Sequence, residues 1–89
     1  MEYIFGTVKK YVDKYDFYNL LALGAPYDEY DTESRKISRL ISCYSSTYEI
    51  ACAIYKVMYR AFGNISDNMT MKPDNFLGIA GKIHAEVSI

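Results

Sequence analysis

The sequence predicts an all-α fold, a compact single-domain bundle of four to five short helices over residues 1–89. Three observations carry that prediction. Apolar side chains recur at helical spacing in several separate segments, apolar–polar alternation never lasts beyond a few residues, and helix-starting and helix-stopping residues fall between the periodic segments. Eighty-nine residues suffice for one hydrophobic core and are too few for two. A composition 51% hydrophobic and 24% charged is that of an ordered globular chain.

The first helix is expected over about 2 to 15: Ile4, Val8, Tyr11, Val12 and Tyr15 share one side, and Lys9, Lys10, Asp13 and Lys14 the other. Asp16 is placed to cap a short second helix through Phe17, Tyr18, Leu20 and Leu21, and Gly24, with Pro26 just beyond, offers a left-handed stop. Asp31 or Thr32 then caps a third helix, with Glu33 in its first turn, where the positive end of the macrodipole favours a carboxylate. Ile37, Leu40, Ile41 and Tyr44 form its expected buried stripe. Ser45-Ser46-Thr47 interrupts the pattern, and Ser46 with Glu49 makes a capping box before a long apolar run. That run is the fourth helix, about 47 to 62, ended by Gly63. Residues 64 to 72 read as a polar, ordered loop, and Pro73 opens the last helix, where Phe76, Ile79, Ala80, Ile83 and Val87 share a face.

The fourth helix has two apolar faces. Ile50, Ile54, Val57, Met58 and Ala61 form one stripe, and Tyr48, Cys52, Tyr55 and Tyr59 lie on roughly the opposite side, leaving Glu49, Lys56 and Arg60 as a polar strip. The structural expectation is a central helix packed on both sides. The functional alternative is a docking surface, because tyrosine combines a large apolar ring with a hydroxyl and is enriched at interface hot spots.

Charge and export signals narrow the function. With 10 Lys/Arg against 11 Asp/Glu the net charge is −1, and the longest basic run is Lys9-Lys10, so direct nucleic-acid binding is disfavoured. No apolar run approaches the ~20 residues that cross a bilayer. Glu2-Tyr3-Ile4-Phe5 after Met1 lacks the features of a signal peptide, so a cytoplasmic chain is expected, with Cys43 and Cys52 as free, buried thiols. His84 stands without a second histidine or a Cys-x-x-Cys pair and reads as a helix-flank residue.

The most distinctive stretch is Gly24-Ala25-Pro26-Tyr27-Asp28-Glu29-Tyr30-Asp31-Thr32-Glu33, with four carboxylates, two tyrosines and no basic residue before Arg35. It lacks the Asp-x-Asp-x-Asp-Gly spacing of a calcium loop, and a charged turn gives no sign of the cleft that would separate two carboxyl pKa values for acid–base work. The bland reading is a helix cap with a solvated charge run. The functional reading is a partner-binding edge. Ten tyrosines and no tryptophan strengthen it, because so small a core cannot satisfy ten phenolic hydroxyls internally. The candidate binding residues are Tyr27, Asp28, Glu29, Tyr30 and Glu33 in the turn and Tyr48, Tyr55 and Tyr59 on the fourth helix. No catalytic residue, cofactor or metal is expected.

Tyr15-Asp16-Phe17, Leu20-Leu21, Gly24-Ala25-Pro26, Asp28-Glu29-Tyr30-Asp31, Glu33 and Ile37 together resemble the YugE-like family of small bacterial proteins, a domain of unknown function, over about residues 11 to 41. Tyr15-Asp16-Phe17 stands where that family tends to have Trp-Asp-Pro. The resemblance implies a small α-helical cytoplasmic fold and brings no catalytic residues.

The leading functional expectation is a protein-binding inhibitor, a bacterial immunity protein or antitoxin that neutralises a cognate toxin. The toxin is expected to be a nuclease, because a phosphate-holding site is basic and an acidic, aromatic edge can dock there. The alternative is a non-catalytic housekeeping or structural protein of the YugE-like type. A regulator that self-associates as a homodimer through the fourth helix, and an enzyme, rank behind these.

Overall fold

A computed structural model describes residues 2–16, 23–24, 30–62 and 72–88. Among them are four α-helices: α1 (Glu2–Tyr15), α2 (Asp31–Leu40), α3 (Thr47–Phe62) and α4 (Leu77–Val87), the last entered through a 3-10 turn at Pro73–Phe76. The all-α class read from the sequence holds. The short helix expected after Asp16, the stop at Gly63 and the loop from 64 to 71 lie outside the described residues.

Helix α1 buries Val8 and Val12 completely, and Ile4 and Tyr11 pack against the same core. Thr7 is buried beside them, whereas Tyr15, expected on the buried stripe, is partly exposed. The chain leaves α1 at Asp16, whose φ of 46° is left-handed and whose N–H reaches the Val12 carbonyl at 2.9 Å. Aspartate is among the few side chains that tolerate this conformation. Gly24, at φ 100°, adopts the left-handed conformation expected of it.

Helix α2 begins at Asp31, but neither Asp31 nor Thr32 caps it: the N-cap position is Tyr30, and no side chain bonds the free N–H groups there. Asp31 instead receives the Lys9 ammonium at 2.6 Å. The helix stops at Leu40 because Ile41 turns to extended backbone (φ −121°, ψ 162°), and this breaks the expected stripe. Ile37 and Ile41 are buried, while Leu40 is 54% and Tyr44 80% exposed. Serines hold the turn. The Ser42 N–H donates to Ser45 Oγ at 3.0 Å and the Tyr44 N–H to Ser42 Oγ at 3.1 Å, giving the backbone partners that a helix would otherwise supply.

The capping box forms as expected. Glu49 N–H donates to Ser46 Oγ at 3.1 Å, and Ser46 N–H to Glu49 Oε1 at 2.7 Å. Helix α3 then buries Ile50, Ala51, Ala53, Ile54, Val57 and Met58, leaving Ala61 exposed at its end. The last helix buries the face read from sequence, Phe76, Ile79, Ala80, Ile83 and Val87. Its 3-10 entry is fixed by Pro73 and by the Lys72 N–H donating to Asn75 Oδ1 at 2.8 Å.

Among the described residues each helix packs on its neighbours in the chain, and α4 closes back on α1, so the helices form a ring around one core. The backbones of the diagonal pairs α1/α3 and α2/α4 do not approach closely. Helix α3 is packed on both sides by its neighbours, as expected, but as one wall of the ring, without close backbone approach to α1 among the described residues. It packs against α2 on one flank and against α4 with its 3-10 entry on the other. The radius of gyration, 12.2 Å, matches the roughly 12 Å of a folded chain of this length.

Candidate functional site

Tyr30, proposed from sequence as an exposed binding residue, is fully buried. Its hydroxyl donates to Asp16 Oδ1 at 2.6 Å and ties the end of α1 to the start of α2. An aromatic ring beside four carboxylates reads as a surface turn, but the core takes it because the hydroxyl has a carboxylate partner. Asp31 is likewise engaged with Lys9. Glu33 stands half-buried in the first turn of α2, and Tyr27, Asp28 and Glu29 lie outside the described residues. The acidic edge thus loses Tyr30 as a contact residue.

The tyrosines of α3 divide. Tyr48, 54% exposed, sits on the side of Asp74, and its phenol pKa is raised, first by a hydrogen bond with the Cys52 side chain. Cys43 and Cys52 are free thiols, half-buried rather than fully buried. Tyr55 is half-buried against the core, and Tyr59 is 43% exposed, with ring centroids 5.6 Å apart. These two rings border a shallow hollow of about 400 Å³ with Lys56 and Arg60.

The same two cations form one wall of a larger groove of about 420 Å³ between α2 and α3. Lys36 and Arg39 of α2 form the other wall, and Leu40, Val57 and Ala61 supply its apolar surface. Of these seven residues only Val57 is buried, so the groove is open to solvent. The C-terminal halves of both helices line it, although only residues 41–46 join α2 to α3. Since Thr47 lies about 15 Å along the helix from Val57, that connection must run back along α3.

Sequence reading missed this groove. A signal was present: Lys36 and Arg39 at i, i+3 and Lys56 and Arg60 at i, i+4 each place two cations on one helical face. What no spacing reveals is that the fold sets the two faces side by side.

On α1, Lys9 and Lys10 are each paired with carboxylates. Lys9 bridges Asp13 at 2.7 Å and Asp31 at 2.6 Å. Burial works to lower the Lys9 pKa, and hydrogen bonds and charge from the two aspartates outweigh it, so the ammonium is held on the protonated side. Lys10 pairs with Glu86 at 2.8 Å, and the Tyr11 hydroxyl also donates to Glu86. Lys10, then Tyr11, hold the Glu86 carboxyl below its ordinary value. Arg35 lies 4.4 Å over the Phe5 ring and joins α1 to α2. Among the described residues, none of the four groove cations makes an ion pair.

Among those residues no group of three or more His, Cys, Asp and Glu could hold a metal ion, and no helix is long and apolar enough to cross a membrane. Comparison with known proteins finds no matching family model, curated protein or solved structure.

Proposed function

We propose that this chain acts by binding another protein and performs no chemistry of its own. One observation carries the reading: the groove between α2 and α3 places exposed Leu40 among four cations that make no ion pair among the described residues, and Tyr59 borders the adjoining hollow beside two of them, Lys56 and Arg60. Such a surface has features of a binding site, since tyrosine and arginine are enriched at hot spots and a charged rim around apolar side chains steers a partner of opposite charge.

The narrower reading, an immunity protein or antitoxin that neutralises a toxin, is a proposal about the partner. Its nuclease form relies on the carboxylates of the acidic turn, now Asp28, Glu29 and Glu33 without Tyr30, because a basic groove repels a phosphate-binding site. The resemblance to the YugE-like family agrees with either form, since it implies no catalytic residue.

The test is capture from cells of the source organism with three tagged chains: wild type, a Leu40→Ser/Tyr59→Ala variant, and Tyr3→Ala, which alters an exposed ring on α1. The expected result is one stoichiometric protein held by wild type and Tyr3→Ala and lost from the groove variant. Equal retention by all three, or no stoichiometric partner, contradicts the proposal.

A further inference from the structure

We infer that the α2–α3 groove takes an acidic amphipathic helix of the partner protein, an assignment that rests on the protein-binding reading above. Four features of the groove select this occupant. It is bounded by two helices, and a third helix can lay its side-chain ridges between them. Its apolar surface, Leu40, Val57 and Ala61, asks for aliphatic anchors. Its walls carry Lys36 and Arg39 on one side and Lys56 and Arg60 on the other, so carboxylates flanking the anchors on both sides of the incoming helix would be met.

The fourth feature is what helix stability leaves unexplained. Arg39 and Arg60 lie in the last turns of α2 and α3, where a cation offsets the negative end of the macrodipole. Lys36 and Lys56 lie further inside their helices and gain little there, yet both face the groove. Four cations drawn together with no ion pair among the described residues are complementary to an external acid.

A nucleic acid suits the groove less well. Net charge is −1, so with these four cations set aside the rest of the chain is net acidic and opposes a long polyanion. Phosphates also offer nothing to Leu40 and Val57. A carboxylate-flanked leucine stripe satisfies both the walls and the floor.

Fluorescence anisotropy with the full chain and a dye-labelled synthetic helix tests the assignment. The probe has about 14 residues, some 21 Å, with leucines at i, i+3, i+4 and i+7 and glutamates on both flanks. Saturable binding is expected, weakened as salt shortens the Debye length from about 10 Å at 0.1 M to about 3 Å at 1 M. Dissociation constants should rise about tenfold or more for Lys56→Glu/Arg60→Glu. The milder Lys36→Gln/Arg39→Gln should weaken binding in the same direction, with circular dichroism confirming that each variant is folded. Serines in place of the probe's leucines should abolish binding. A lysine-flanked probe that binds equally well, no saturable binding of the glutamate probe, or tighter binding of an oligothymidylate each overturns the assignment, the last in favour of nucleic acid. So does sedimentation equilibrium showing a dimer that Leu40→Ser dissolves, because a second copy then fills the groove. Failure of the probe while cellular capture still depends on Leu40 and Tyr59 sinks the acidic-helix assignment alone. Capture indifferent to those residues sinks the protein-binding reading too.

Discussion

Tyr30 is where the sequence misleads most and where a single side chain does most to join the fold. Flanked by Glu29 and Asp31, it has the pattern of a solvated turn, yet the ring is fully buried and its hydroxyl bonds Asp16 at the end of α1. Residue type and neighbours cannot report a partner separated in sequence. Tyr30→Phe keeps the ring and removes the bond to a carboxylate, so a loss of about 1.5 to 3 kcal/mol in urea unfolding is expected. Tyr30→Ala should cost more, about 3 to 5 kcal/mol, as for other large aromatic truncations. A loss below about 0.5 kcal/mol for Tyr30→Ala would return the ring to the surface. Glu86 gives a pH signature. Its folded pKa lies below the ordinary 4.5 because Lys10 and Tyr11 hydrogen-bond the carboxylate. Its contribution is therefore fully present above that ordinary value and is lost as pH falls through the lower folded one. The melting-temperature gap between wild type and Glu86→Gln should stay level from neutral pH down to about 5, then close in stronger acid. A gap that never closes in acid would show that the carboxylate charge is not its source.

At the scale of the element, the helices with both a clear period and a clear boundary were legible. The expected limits of α1 and α3 match, because each has a continuous apolar stripe and α3 also has the Ser46–Glu49 box. Ser46→Ala removes one reciprocal bond and frees an orphan N–H, which should cost about 1 kcal/mol in thermal or urea unfolding. No change in stability would mean that water satisfies the first turn equally well. Helix α2 was less legible at both ends. Asp31 has the composition of a cap but is drawn to Lys9, a contact between helices that local propensity does not contain. Apolar spacing continues the stripe to Tyr44, whereas serine-to-backbone hydrogen bonds end the helix at Leu40 and leave Leu40 and Tyr44 in water. The exposed Leu40 then becomes part of the groove.

At the scale of the molecule, the ring of helices decides which residues are structural and which are free. Ring packing gives α3 one inner face and two flanks, and among the described residues Tyr48 and Tyr59 of its second apolar face stay exposed while Tyr55 packs against the core. The same ring neutralises Lys9 and Lys10 across helix junctions and leaves Lys36, Arg39, Lys56 and Arg60 facing one another across a groove. Neither consequence could be read from spacing along one helix, because both depend on which helices become neighbours. The division of α3 into a buried face and a free face is the central claim, and it needs no partner to be tested. Urea unfolding of Ile54→Ala and Tyr59→Ala under identical conditions is the direct measurement. Ile54 is fully buried and Tyr59 is 43% exposed, so the first should lose about 2 to 5 kcal/mol and the second less than about 1. Equal losses, or a greater loss for Tyr59→Ala, would mean that the tyrosine face is packed inside the protein and would contradict the account.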